Sequence, residues 1–135
     1  MGTTALGGHV TAQTVVASVA AAANIANAVL ASIDVPGDAT ILDVILTVTD
    51  MDTGAAGLVD VGDASGPTVP DDNRFVAAFS MQAAGSIRAS DSAGLLEGIY
   101  TYSTTGEQTI EVTVNTAPAT AAAGTVTLTV VYVRS

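Results

Sequence analysis

The fold class is decided by two stretches near the end of the chain, EQTIEVTVNT at residues 107–116 and TVTLTVVYVR at residues 125–134. In both stretches apolar and polar residues alternate with a period of two, which places the apolar side chains on one face of an extended strand. Pro118 and Gly124 favour a loop between them. We therefore predict two half-buried antiparallel strands that pair or face each other across a core. Their predicted core residues are Ile110, Val112, Val114, Val126, Leu128 and Val130.

A third strand is predicted over residues 40–50, between the turn signals of residues 36–38 and 50–54. Its inward residues are predicted to be Leu42, Val44, Leu46 and Val48, with Ile41 and Ile45 on the opposite, partly covered face. Shorter strands are predicted at residues 58–61, 74–79 and 98–103, with a loop over residues 62–72 and a small-residue loop before residue 98. Seven or eight short strands separated by turns indicate an all-β protein, an antiparallel β-sandwich of the jelly-roll type.

The N-terminal third admits two interpretations. A helical stripe of small and aliphatic residues runs through residues 15–33, and alanine is the best helix former. Residues 28–35 also alternate as a strand would, with Val29, Ala31, Ile33 and Val35 on one face. We favour a strand at 28–35 preceded by an extended or partly helical arm, residues 1–27, with a strand near residues 13–19. The predicted domain organisation is thus an arm at 1–27 and a β-sandwich at 28–135.

The amino-acid composition restricts the classes of function that the protein can have. The chain has 135 residues and is 49% hydrophobic, but 25 alanines and 18 valines supply most of that fraction, so each core side chain buries little area. A core of this kind favours association with further subunits. The formal net charge is −10, with only three arginines and no lysine, which excludes a nucleic-acid-binding surface.

Neither a membrane segment nor cysteine chemistry is expected. The uncharged stretch at residues 10–33 is long enough to span a bilayer. It is rich in alanine, however, and is interrupted by seven Ser, Thr, Asn and Gln residues, and no basic region of a signal peptide precedes it. With no cysteine, the chain has no disulfides, thiolate metal sites or cysteine nucleophiles.

The residues offer no catalytic or cofactor-binding constellation. His9 is the single histidine, and no nucleophile-elbow motif accompanies it, so we interpret it as a solvent-facing or interface residue. Gly66-Pro67 and Gly85-Ser86 are interpreted as turns, because a phosphate-binding loop would need a lysine. We predict that the protein is not an enzyme and has no cofactor.

Six aspartates fall within 23 residues, and their spacing raises the question of calcium. They are Asp50, Asp52, Asp60, Asp63, Asp71 and Asp72. The spacing of Asp50 and Asp52 matches the beginning of some calcium-binding loops. The later glutamate of such a loop is missing, however, so we predict no metal site. Aspartates in turns usually bond their own backbone. Arg74 is predicted to pair with Asp71 or Asp72, whereas Arg88 and Arg134 could pair within the chain or with another subunit.

Several stretches resemble small Ala/Gly-rich β proteins of tailed-bacteriophage and gene-transfer-agent heads, described as capsid decoration, cement or head-spike proteins. The resemblance lies in Ile41-Leu42-Asp43-Val44, in Asp50-Met51-Asp52-Thr53-Gly54, in residues 58–64 and 72–78, and in residues 113–126. It covers roughly residues 40–133 and carries no chemical site. The Gly66-Pro67-Thr68-Val69-Pro70 insertion departs from the pattern of this group, and the N-terminal third is not covered.

The resemblance implies a structural virion protein that binds the major capsid protein on the outside of a phage head as a homotrimer, after assembly in the host cytoplasm. The alternative is a head-fibre or tail-fibre module that binds host glycans. That alternative has few aromatic residues for a sugar platform: Phe75, Phe79, Tyr100, Tyr102 and Tyr132. Because residues 1–27 carry no charged side chain apart from a protonated His9, we expect this arm to do the anchoring, unless it is simply the start of the fold.

Overall fold

The chain forms an antiparallel β-sandwich, as the alternating patterns predict. The structure is a computed structural model that describes residues 9–65, 71–91, 100–102 and 106–134. The strands in this part are β1 (Val10–Val19), β2 (Val29–Val35), β3 (Ala39–Val48), β4 (Leu58–Ser65), β5 (Asp71–Ser80), β6 (Gly85–Arg88), β7 (Tyr100–Thr101), β8 (Gln108–Thr116) and β9 (Gly124–Arg134). Single 3₁₀ turns at Ala21–Ala23 and Ala89–Asp91 are the helical elements of the described residues.

The strands form two sheets with the connectivity of a jelly roll. The first sheet has the order β1-β9-β3-β6, with β7 also pairing with β3, and the second has the order β2-β8-β4-β5. With β7 set aside, the chain crosses between sheets at every connection except the one from β4 to β5. Such alternation of eight strands between two sheets is the arrangement of a jelly roll. No helix in the described ranges is both long and apolar enough to cross a bilayer.

The core lies between the two sheets and contains the residues predicted from the C-terminal patterns. Ile110, Val112 and Val114 of β8 are completely buried. They face across the core the equally buried Val126, Leu128 and Val130 of β9. Both strand predictions are confirmed within one residue at each end, because these are the strands in which the alternation is unbroken.

The predicted inward face of β3 is wrong at the beginning of the strand. Val44, Leu46 and Val48 are buried as predicted, but Leu42 is only half-buried and Ile41 is completely buried. The pairing with β9 shifts between Ile41 and Asp43. A bulge adds one residue to the strand, so odd-numbered residues face the core before it and even-numbered residues face the core after it. A single alternating pattern therefore does not describe β3.

The middle of the chain contains more strand than predicted. β4 extends from Leu58 to Ser65, where a loop was predicted from Gly62, and β5 already begins at Asp71. β6 was missed altogether, so Gly85-Ser86 lies in a strand rather than a turn. Of the strand predicted at 98–103, residues 100–101 form β7, and residues 98, 99 and 103 lie outside the described residues, as does Gly66-Pro67.

The N-terminal segment is extended, not helical, over most of its described length. β1 pairs with β9 in an unbroken register from Val10↔Val133 to Val19↔Gly124. β2 matches the predicted strand, with Ala31, Ile33 and Val35 buried, whereas Val29 is 52% exposed because the register with β8 shifts between Val29 and Ala31. Residues 10–19 thus form the outer strand of the first sheet.

We expect Leu128→Asp to prevent folding, because it would place an unpaired carboxylate at a position with no solvent exposure. The expected loss is about 4 kcal/mol or more, which is a large fraction of the roughly 5–15 kcal/mol by which a typical domain is stable. Thr127→Asp, on the opposite and half-buried face of the same strand, is the control and should lose about 1 kcal/mol. Thermal or urea denaturation followed by circular dichroism measures both, and similar melting of Leu128→Asp and wild type would contradict the assignment.

Candidate functional site

The aspartates that raised the question of calcium lie against protein donors. Within the described ranges no group of three or more His, Asp or Glu side chains is placed to hold a metal ion. His9 is exposed. Three of the aspartates, Asp52, Asp60 and Asp63, are buried, and each accepts hydrogen bonds from more than one segment of the chain.

The carboxylate of Asp52 joins the loop after β3 to the loop between β8 and β9. Its Oδ1 accepts the backbone N–H groups of Gly54 at 2.9 Å and Thr120 at 3.0 Å. Its Oδ2 accepts those of Gly57 at 2.8 Å and Ala119 at 3.2 Å. Burial by itself raises the pKa of Asp52, but these four N–H groups outweigh it and leave the pKa below its ordinary value. The side chain stabilises the fold as an ionised acceptor.

Asp60 makes a second connection, between β5 and β8. Its Oδ1 accepts the backbone N–H of Ala78 at 2.7 Å, and its Oδ2 accepts the amide of Asn115 at 2.9 Å. Ala78 has a φ of 55°, in the left-handed region that alanine seldom adopts. The hydrogen bond to Asp60 is therefore made at an irregular position of β5, the outer strand of the second sheet.

Asp63 is the centre of a polar cluster with Arg74 and Tyr102. Its Oδ2 accepts the Arg74 Nε–H at 2.5 Å and the Tyr102 hydroxyl at 2.8 Å, and its Oδ1 accepts the backbone N–H of Asp71 at 2.7 Å. The prediction that Arg74 pairs with Asp71 or Asp72 is wrong, because the antiparallel pairing of β4 with β5 brings the Asp63 side chain within reach of Arg74.

Aromatic rings complete this cluster. The Arg74 guanidinium lies 4.2 Å from the centroid of the Tyr100 ring, which contacts the Tyr102 ring edge-on at 5.0 Å. Burial, followed by the hydrogen bond and negative charge of Asp63, raises the pKa of Tyr102 well above its ordinary value. Burial by itself lowers the pKa of Arg74, but the hydrogen bond and negative charge of Asp63 outweigh this effect and leave the pKa above its ordinary value. All these groups satisfy one another, so the cluster holds strands together and has no group poised to react.

The other two arginines also have partners within the chain. Arg88 lies 3.1 Å from Asp43, and Arg134 lies 3.5 Å from Asp38. These pairs are solvent-exposed and contribute little to stability. They answer the question that the sequence left open, since each arginine of the protein has an acidic partner in its own chain.

The first sheet has an outer surface without charge along β1 and β9, which we call the threonine–valine face. Its residues are Val10, Ala12, Thr14, Val16 and Ser18 of β1 and Thr125, Thr127, Thr129, Val131 and Val133 of β9. The hydroxyl oxygens of Thr14 and Thr129 lie 2.9 Å apart across the two strands. By contrast, the outer side of the second sheet carries acidic groups, including Asp34 and Glu111, and burial raises the pKa of Glu111.

The exposed large apolar side chains of the described residues come from the N-terminal part of the chain. In the described part of the chain they are Val10, Val16, Ile25 and Val29. All four belong to the uncharged segment that precedes Asp34. An uncharged face bordered by exposed apolar side chains is typical of a protein–protein interface. It is the one feature of the described surface that suggests a function.

Sequence reasoning missed the Asp63–Arg74–Tyr102 cluster and the threonine–valine face. A signal for the first was present, because Asp60 and Asp63 interrupt the apolar run of β4, and aspartate is seldom buried unless it is paired. A signal for the second lay in the threonines of residues 125–129, which become a surface only when β1 pairs beside them.

The pH dependence of stability tests the role of Asp52. Its pKa is lower in the folded than in the unfolded chain, so its stabilising effect is complete above the unfolded value near 3.8 and is lost as the pH falls through the folded value. We expect the melting temperature of Asp52→Asn to be below that of wild type at neutral pH, and the difference to shrink as the pH falls through the pKa of Asp52 in the folded chain. Asp50→Asn, an exposed neighbour, is the control and should change little. Equal melting of Asp52→Asn and wild type at neutral pH would refute the role.

A comparison of two arginines tests the buried cluster. Arg74→Met leaves the buried Asp63 carboxylate without its positive partner, and we expect a loss of about 3–5 kcal/mol. Arg88→Met removes a pair whose arginine is 58% exposed, and we expect a loss of about 0.2–1 kcal/mol. Urea denaturation gives both values, and equal losses would show that Asp63 does not depend on Arg74.

Comparison with known proteins gives structural neighbours from phage capsids. No protein-family model matches the chain, and no curated protein matches it in sequence. The chain is similar to one in the capsid of Ralstonia phage GP4, with a TM-score of 0.75 and 29% identity over 99% of this chain and 90% of that one. It shares its fold with a chain of the cyanophage Pam1 capsid asymmetric unit, with a TM-score of 0.72 and 24% identity over 100% of this chain and 91% of that one. The structural neighbours are thus phage capsid proteins.

Proposed function

We propose that this chain is a decoration or cement protein of a tailed-phage head, which binds the major capsid protein on the outside of the shell and reinforces contacts between capsomers. The observation that carries the proposal is the likeness to the Ralstonia phage GP4 capsid chain, which extends over nearly the whole of both chains. That likeness supports a structural protein of the virion. The finer role as decoration or cement follows from the resemblance of residues 40–133 to such proteins.

The surface chemistry agrees with a structural role. Jelly-roll proteins have many different functions, so the fold alone does not indicate the function and the chemistry of the surface must do so. The buried carboxylates of Asp52, Asp60 and Asp63 accept hydrogen bonds from donors of the same chain, and the threonine–valine face presents hydroxyl and methyl groups that can be covered at a lower desolvation cost than charged groups. We infer that this face contacts the shell and that the chain acts as a homotrimer, assembled in the host cytoplasm.

The N-terminal segment has a place in this proposal. Residues 1–27 carry no charged side chain other than a protonated His9, and β1 supplies one strand of the threonine–valine face. We propose that residues 1–27 contribute attachment surface and that residues 28–135 form the body of the protein, which β1 completes as the outer strand of the first sheet.

The glycan-binding alternative finds no support in the arrangement of the aromatic residues. Phe75, Tyr102 and Tyr132 are buried, and Phe79 and Tyr100 are half-buried. Sugar platforms require an exposed ring face, and the ring of Tyr100 is already occupied by Arg74.

Binding to capsids tests the function. Capsids assembled without this chain are mixed with the purified protein, and bound protein is measured by co-sedimentation and located by electron microscopy. We expect wild type to bind the outer surface at capsomer junctions. Thr129→Asp adds a charge to the threonine–valine face and should weaken binding by roughly tenfold or more.

A matched variant controls for the added charge. Ser80→Asp makes the same change at an exposed position of the second sheet, opposite Leu58, and should bind as wild type does. Absence of wild-type binding would refute the capsid role, and density on a tail or fibre would favour the adhesive alternative. Equal binding of Thr129→Asp and Ser80→Asp would show that another surface contacts the shell.

A further inference from the structure

The sheet edges differ in how well they are protected against pairing with another chain. β2 has a register shift and carries Asp34. β5 carries Asp71, Asp72 and Arg74 and is irregular in its pairing. β6 has four residues, and β7 has two. Charges, bulges and short length are the usual means of preventing edge-to-edge association.

β1 has none of these protections. It is ten residues long, contains no proline or charged residue, and keeps an unbroken register with β9. About half of the backbone N–H and C=O groups of an outer strand point away from its neighbour. Val10 and Val16 on this strand are 62% and 66% exposed. A long, regular and uncharged edge of this kind is a template for another strand.

The charge of the protein decides which part of its surface can meet a second copy. At −10, two copies repel each other wherever acidic surfaces approach. The three arginines are paired with Asp63, Asp43 and Asp38 of their own chain, so they do not offer free positive charge to a neighbour. A contact between copies therefore needs uncharged surface on at least one side, and the segment from Val10 to Ile33 is a long uncharged run of the sequence.

We propose that a second copy of this chain covers the free edge of β1, with Val10 and Val16 at the contact. The inference rests on the part of the proposed function that makes the chain a homo-oligomer, and not on capsid binding. In a closed trimer, β1 of each copy contacts a different surface of the next copy, because such a ring is built from head-to-tail contacts.

Sedimentation of the purified full chain, without capsids, tests the proposal. Wild type at micromolar concentration should sediment as an oligomer, near 40 kDa for a trimer of the 13.3 kDa chain. Val16→Lys, which places a charge at the contact, should weaken association roughly tenfold or more and increase the monomer fraction accordingly. Thr113→Lys, the same added charge on the second sheet, should sediment as wild type does.

Amide hydrogen exchange gives an independent measurement on the unaltered protein. Backbone amides of β1 should exchange more slowly as the protein concentration rises, whereas those of β6 should not change. A wild type that stays at 13 kDa, a folded Val16→Lys that sediments as wild type, or β1 exchange independent of concentration would each overturn the proposal. If Val16→Lys does not fold, Val10→Lys at the end of the strand replaces it. Because no capsid is present, the outcome is separate from that of the capsid-binding experiment.

Discussion

A buried carboxylate must be met by hydrogen-bond donors, and three such carboxylates connect the parts of this sandwich. Asp52 accepts N–H groups from two loops, Asp60 connects β5 to β8, and Asp63 connects β4 to Arg74 and Tyr102. The aliphatic core supplies most of the burial, but its side chains are small and non-directional. The carboxylates add directional interactions, because the hydrogen bonds of each are satisfied in one arrangement of its strands and loops.

The pairing of charged groups within the chain also determines where charge lies on the surface. Each arginine is matched with an aspartate of its own chain, and Asp52 and Asp60 are occupied by N–H groups. The first sheet keeps an outer face without charge along β1 and β9, while the outer side of the second sheet includes Asp34 and Glu111. One side of the molecule is thus suited to close contact with protein and the other to solvent.

β1 connects the fold with the proposed assembly. It completes the threonine–valine face with β9, and no strand among the described residues pairs with its other edge. An unprotected edge is a hazard in a protein that works alone, whereas in a protein that works in copies it can be an interface. The capsid likeness and the acidic charge both favour the second interpretation, since charged surfaces of identical copies repel.

The sequence by itself determined the all-β class, the strands β8 and β9 and their six core residues, because an unbroken alternation permits one buried face. It also carried the prediction that the protein has no nucleic-acid-binding surface, because that prediction needs only the charge. Only the tertiary structure decided that Ile41 rather than Leu42 faces the core, since a bulge is visible only in the pairing with β9. It likewise decided that Arg74 pairs with Asp63, since the two residues lie eleven positions apart and meet only when β4 and β5 form a hairpin. The uncharged face has the same origin: three of its four threonines lie on β9, whereas Thr14 and two of its valines lie on β1, more than a hundred residues earlier, and long-range strand pairing brings them together.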